Sequence, residues 1–307
     1  MRPVRVGTRG SPLALAQAGL IIAALRARHP RTRFEAVSIR TSGDERPLQD
    51  LGTPVDLKRA FTKRIDDALL AGRVDLAVHS LKDVPVTVPD GLVLAAVPKR
   101  ETPWDVLVAP GPASLASLPS GARIGTSSVR RRAQLAAASP TARIADLHGN
   151  IGTRLRRLAA SEFDAIVLAE AGLRRLGLGH RISEVLPPEV MTPAIGQGAI
   201  AVEARAEDEG TVSLVAAIDD PATNAATRAE REVARRVGGG CNVPLGAVGV
   251  PRGTTLRLDA IVASADGRRV VRAGTGGPLS EPLAIARRVA SDLVRRGGSE
   301  ILAEVAP

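Results

Sequence analysis

Short apolar runs alternate with longer amphipathic stretches along the first two thirds of the chain. Residues 4–7 read as a strand, and Ser11 is placed to cap a helix that opens on Pro12. The apolar stretch 13–25, interrupted by Gln17, supplies that helix. Residues 34–40 are a second strand, 61–71 a helix stopped by Gly72, and 75–78 and 92–97 two more strands. The pattern then restarts. Strands over 122–125, 143–147 and 164–168 alternate with helices over 128–138, 151–160 and 171–176. Such alternation predicts parallel sheets covered on both faces. Two α/β units joined near residues 98–105 would enclose a cleft, with ligands at the carboxyl ends of the strands.

After Pro221 the character changes. A charged amphipathic helix over 222–237 runs into Gly238-Gly239-Gly240-Cys241. Strands over 256–262 and 269–273 flank a turn at Asp266-Gly267, and 283–296 form a last helix. The expected division is 1–98 with 199–217, then 99–198, then a small α+β domain over 218–307.

Composition narrows the classes. Hydrophobic residues make up 44% and charged residues 24%, as in ordinary soluble globular proteins. No apolar run approaches the roughly 20 residues that span a bilayer. Arginines near the N-terminus are not followed by a signal-peptide pattern, so a cytoplasmic location and no membrane partner are expected. A single cysteine agrees with a reducing compartment. Net charge is 42 − 32 = +10, carried almost wholly by arginine. Arginine grips carboxylate and phosphate through a planar fork of donors. With one Trp, three Phe and no Tyr there is little from which to build stacking platforms for single strands. Composition leaves duplex binding through backbone contacts open. The basic residues, however, are dispersed, the longest run being Arg130-Arg131-Arg132. A polyanionic small molecule is the expected ligand, and nucleic acid is not.

Cys241 can form neither an internal disulfide nor, by itself, a zinc site. Its glycine neighbours leave the sulfur open to something bulky, although a lone cysteine in a tight turn also serves as a small buried hydrophobe. Asp83 follows a buried strand, and Pro85 holds Val84 extended. A carboxylate fixed there could transfer a proton or stabilise a cation; the plainer alternative is an ion-paired loop residue. Arg9, Arg130, Arg131, Arg154 and Arg175 all fall near predicted strand ends or helix starts. Each alone is ordinary surface charge, but recurrence at the same end of successive units suits a substrate with many carboxylates. Thr8 to Ser11, Thr126-Ser127-Ser128 and His148-Gly149-Asn150 likewise present N–H groups and hydroxyls suited to anions. There is no P-loop, and His29, His79, His148 and His180 lack metal-ligand spacing, so no metal is expected.

Seven ordered segments resemble the porphobilinogen deaminase (hydroxymethylbilane synthase) family. They are Thr8-Arg9-Gly10-Ser11-Pro12-Leu13-Ala14, His79-Ser80-Leu81-Lys82-Asp83-Val84-Pro85, Gly125-Thr126-Ser127-Ser128-Val129-Arg130-Arg131, Gly149-Asn150-Ile151-Gly152-Thr153-Arg154-Leu155, Ala171-Gly172-Leu173-Arg174-Arg175-Leu176, Pro193-Ala194-Ile195-Gly196-Gln197-Gly198 and Gly239-Gly240-Cys241. The resemblance implies an α/β fold of two periplasmic-binding-protein-like (type II) domains forming a cleft, plus a small α+β C-terminal domain. It implies a monomeric transferase that condenses four porphobilinogen molecules head to tail on a dipyrromethane primer, releases ammonia at each addition, and hydrolyses the product to hydroxymethylbilane. Cys241 would carry the dipyrromethane cofactor through a thioether. Asp83 would protonate the leaving amine or stabilise the resulting cation. Lys82, Ser128, Arg130 and Arg131 would hold cofactor carboxylates, and Arg9, Ser11, Lys58, Arg154, Arg175 and His148 those of the substrate. A chain of six pyrroles brings roughly a dozen carboxylates, whose desolvation calls for charge-assisted partners.

The chain departs from the family pattern in two places that matter. The stretch Thr53-Pro54-Val55-Asp56-Leu57-Lys58-Arg59-Ala60-Phe61 lacks the glycines of the usual flexible lid, with Lys58 at the lysine position. His148 stands where the family has arginine; it is shorter and only partly charged near neutral pH, so it holds a carboxylate less well. Asn242 replaces the more usual glutamine. The competing function is a divergent, non-catalytic paralogue acting as a cytosolic anion-binding module, which would not need a cofactor on Cys241.

Overall fold

The computed structural model describes residues 2–41, 54–238 and 243–304, the side chains of 54–61 excepted. The chain divides into two compact units, one of Met1–Glu101 with Ala199–Asn224 and one of Thr102–Gly198 with Ala225–Pro307.

In the first unit, β1 (Val4–Arg9) leads into α1 (Pro12–Arg28). The Ser11 hydroxyl accepts a hydrogen bond from the Ala14 N–H at 3.3 Å, and Pro12 opens the helix. β2 (Phe34–Ile39), α2 (Pro54–Leu70), β3 (Leu76–Ser80) and β4 (Leu92–Ala96) follow. Helix α2 begins seven residues before the predicted start at 61, so residues 54–60, read from sequence as the altered lid, form its first turns.

The second unit begins with β5 (Asp105–Val108), then β6 (Arg123–Gly125), α3 (Val129–Ala138), β7 (Arg143–Ala145), α4 (Ile151–Ala159), β8 (Ala165–Ala169), α5 (Glu170–Arg175) and β9 (Glu184–Val185). β10 (Ile200–Arg205) and α6 (Glu209–Ala216) return to the first unit. α7 (Pro221–Val237), β11 (Leu245–Arg252), β12 (Thr255–Ala263), β13 (Val270–Pro278), α8 (Pro282–Arg295) and α9 (Gly298–Ala303) complete the chain.

The two large sheets share one plan. Their orders are β2-β1-β3-β10-β4 and β7-β6-β8-β5-β9, and β11-β12-β13 form a third, antiparallel sheet. The alternation predicted all-parallel sheets; both are mixed. β1 runs parallel to β2 and β3, but β10 is antiparallel to β3 and β4. β6 runs parallel to β7 and β8, but β5 is antiparallel to β8 and β9. β5, β9, β10 and β11 are the strands the local pattern did not announce. β10 and β5 hold equivalent places, each inserted beside a strand distant in sequence, and short apolar runs carry no record of such pairing.

Period-2 alternation sorts the core. Leu76 and Val78 of β3 pack with Ile21, Ile22 and Leu25 of α1 and Val215 of α6, whereas Ala77 packs on the other face with Ile65, Ala68 and Leu69 of α2. In the second unit Ile166 and Leu168 face Leu155 and Leu158 of α4, while Ala165 and Val167 face Leu135 of α3. Both sheets are thus covered on both faces, and their helices begin at the strand ends that carry the candidate residues.

Candidate active site

The first unit holds a small pocket of about 60 Å³ where β1 and β3 end. Arg9 is the last residue of β1. β3 runs into a tight helical turn over Leu81–Asp83, closed by the Val84 N–H donating to Leu81 O at 3.1 Å. Val84 is extended (φ −79°, ψ 130°), as a residue before proline should be. The pocket is lined by Arg9, Ser11, Gln17, Thr62, His79 and Asp83, among others. Three residues singled out from two separate motifs therefore meet at one place: Arg9, Ser11 and Asp83. Lys82 is half-buried on the same turn but is not part of the pocket wall. The side chain of Lys58 lies outside the described residues.

Gln17 was readable only as an oddity, a polar residue in an apolar helical stretch. It is buried, and its Nε2 donates to Ser80 Oγ at 2.9 Å, fixing the end of β3 against α1. The motif around His79 gives that residue no role of its own. It is buried, with Nε2 3.2 Å from Glu203 Oε2, and Asp66 completes a buried cluster with both. The sequence offered no metal-ligand spacing because these three groups come from three separate elements.

In the second unit the ends of β6 and β7 each feed a helix. A Cβ on Gly125 would come within 2.8 Å of Phe163 and 2.9 Å of Leu147, so a larger residue here would displace these buried side chains. Ser128 caps α3, its hydroxyl accepting from the Arg131 N–H at 3.4 Å. Gly149 takes φ +105°, and Asn150 caps α4, accepting from the Thr153 N–H at 2.9 Å. Both helix starts offer N–H groups to an anion.

Arg130 and Arg131 point inward rather than standing ready on a surface. The fully buried Asp105 carboxylate lies 2.9 Å from Arg130 Nη1 and 2.7 Å from Arg131 Nη2. Arg131 also donates to Val167 O at 2.7 Å, and Arg130 to Thr192 O at 2.6 Å. Burial pushes the Asp105 carboxyl up, but the two guanidinium groups outweigh it and hold its pKa at about 2. A bound carboxylate would have to share these cations with Asp105.

Arg154 differs. It is half-buried on α4, and its Nε donates to Gly149 O at 2.8 Å. Burial, with repulsion from Arg131, lowers its pKa to about 10, and no acid among the described residues counters this. His148 Nδ1 is buried without a hydrogen-bond partner among the described residues. Arg175 donates to Gly198 O at 2.6 Å.

Cys241 lies outside the described residues. The helix that precedes it, α7, is pinned by Glu230, a fully buried carboxylate. Its Oε2 accepts from the Gly196 N–H at 2.7 Å and its Oε1 from the Gly249 N–H at 2.8 Å. Sequence patterning did not find Glu230, since one acid on a charged helix reads as surface.

The family model described as porphobilinogen deaminase, dipyromethane cofactor binding domain, matches residues 4–213, and that of the porphobilinogen deaminase C-terminal domain matches 224–295. The chain belongs to the porphobilinogen deaminase family. Among curated relatives, the porphobilinogen deaminase of Desulforudis audaxviator is 48% identical, covering 99% of this chain and 98% of its own. That of Roseiflexus castenholzii is 48% identical over 97% and 98%, and that of Deinococcus radiodurans 45% over 99% and 99%. Among solved structures, the methionine binding protein MetQ overlaps 69% of this chain and 88% of its own at 12% identity and a TM-score of 0.43. Within the porphobilinogen deaminase family, the matched first model is named for a dipyrromethane cofactor, and its span includes both the Asp83 pocket and the α3 and α4 helix starts.

Proposed function

We propose that the chain is a hydroxymethylbilane synthase in which Asp83 is the catalytic acid and Cys241 the covalent anchor of the dipyrromethane cofactor. The convergence of Asp83 with Arg9 and Ser11 in one pocket carries this reading. A carboxyl group beside a guanidinium and a hydroxyl fits porphobilinogen, which brings one amine to be expelled and two carboxylates to be held.

The residues present suit an acidic cofactor. Arg154 is a desolvated cation with no acidic partner among the described residues, and Ser128 and Asn150 cap helices whose first N–H groups can receive carboxylates. When bound, dipyrromethane supplies a pyrrole carbon to which the first substrate is joined. Ser128, Arg130 and Arg131 would hold it, and Lys82 is assigned to the same role.

Asp83 gives its proton to the departing amine as the carbon–nitrogen bond of porphobilinogen breaks. Its carboxylate then faces the cation left on the substrate. Formation of the new carbon–carbon bond releases a proton from the accepting ring, which restores the acid. Arg9, Ser11, Lys58, Arg154, Arg175 and His148 hold substrate carboxylates. The dispersed cations, the scarcity of aromatic residues and the single cysteine support a small-molecule enzyme of the cytoplasm that does not bind nucleic acid; a monomer is proposed with it. No helix among the described residues is long and apolar enough to cross a membrane.

Intact mass spectrometry of the purified protein beside Cys241→Ala tests this reading. The expected result is a mass gain of two linked pyrroles, absent from the variant, with porphobilinogen consumed by the wild type alone. A protein that stays unmodified and adds no porphobilinogen after incubation would be an anion-binding module instead.

A further inference from the structure

One wall of the Asp83 pocket is backed by a charged cluster that the proposed chemistry does not use. Asp66, His79 and Glu203 are exposed by only 7%, 5% and 1%. They come from α2, β3 and β10, and their ligand-type atoms lie within 4.8 Å of one another. In the antiparallel register Ala201 opposes His79 and Glu203 opposes Ala77, so His79 and Glu203 share the sheet face that α2 covers. His79 and Thr62 reach the pocket, where Asp83 forms another part of the wall.

Uncompensated charge this far from water costs several kcal/mol per ion, so the cluster must settle its own charge. Burial, together with the like charge of Glu203, raises the Asp66 pKa and favours its neutral form. Burial opposes an imidazolium at His79, but the Glu203 carboxylate 3.2 Å from its Nε2 and the charge of Asp83 outweigh it and raise its pKa above the ordinary value. Among the described residues, the groups around His79 are Glu203 from β10, Asp66 from α2, Asp83 from the turn and Arg9 from the end of β1, with neutral Gln17 from α1.

We propose that His79 is a positioning residue for Asp83: as the cation it cancels the Glu203 carboxylate behind the pocket, so that Asp83 works beside an electrically balanced wall. This rests on the assignment of Asp83 as the catalytic acid.

His79→Gln removes the cation that stands between the Glu203 carboxylate and the Asp83 pocket. The alkaline limb of the pH profile of kcat/KM for porphobilinogen, which reports the group that must carry its proton, then moves to higher pH, by up to about one unit. The double variant His79→Gln with Glu203→Gln removes both charges and returns the limb to its wild-type position. A purely structural role would lower the rate at every pH, leave the limb in place and make the double variant no better; that outcome overturns the proposal. Histidine NMR titration of the wild type reads the same point without activity. The chain has four histidines, and the His79 signal is assigned by its loss in His79→Gln or by its downward shift in Glu203→Gln. It is expected to titrate above pH 6.5. An imidazole still neutral below pH 6 overturns the proposal, whereas a titrating His79 in a protein that consumes no porphobilinogen counts against the assigned reaction instead.

Discussion

The Asp105 carboxylate lies 2.7 Å from Arg131 Nη2, with both groups buried in the second unit and Arg130 on the other oxygen. One acid thus balances two cations side by side at the start of α3. Asp105→Asn leaves both guanidinium groups without their counter-charge. The expected loss of stability is about 3–5 kcal/mol, measured by urea unfolding. The same triad sets an acid limit. A carboxyl held at a pKa of about 2 contributes stability that is complete above its ordinary value near 3.8 and is lost as pH falls through the folded value. The wild type is therefore expected to lose this contribution between about pH 4 and pH 2, and Asp105→Asn to show a shallower decline over that window.

Arg154 offers the opposite case, a cation desolvated without an acid among the described residues. Arg154→Gln breaks no ion pair among the described residues and loses one hydrogen bond, to Gly149 O, while relieving a desolvated charge, so the melting temperature is expected to change little. Porphobilinogen binding should weaken by about 1.5–3 kcal/mol, a rise in KM of roughly ten- to a hundredfold. A fall in melting temperature with unchanged KM would make Arg154 a packing residue.

Asp83→Asn keeps the size of the side chain and removes the proton. Ammonia release per enzyme is expected to fall by roughly a hundred- to ten-thousandfold while the thermal transition stays in place. Full turnover in this variant would remove Asp83 from the catalytic role.

Glu230 accepts two glycine N–H groups, one from the 193–198 segment and one from β11. Glu230→Ala leaves both donors buried and unsatisfied, at about 1–3 kcal/mol each, and the chemical-denaturation midpoint should fall accordingly. Glu230→Gln retains one acceptor oxygen and is expected to lose about half as much.

Local chemistry determined much of this protein from sequence alone. The Ser11 cap, Pro12 at the helix start, the glycine stop at 72 and the extended Val84 before Pro85 are short-range consequences of backbone sterics, and they stand where the pattern put them. The ordered motifs also carried the family, because each couples a few neighbouring residues to one strand end. What the tertiary structure alone decided is who meets whom across distance. β10 inserts between β3 and β4, bringing Glu203 to His79 from 124 residues away, and β5 brings Asp105 beneath Arg130 and Arg131. Hydrophobic periodicity reports which face of an element is buried, and says nothing of its partner. Arg130 and Arg131 read as open carboxylate holders for that reason, and only the buried Asp105 reveals that their charge is already shared.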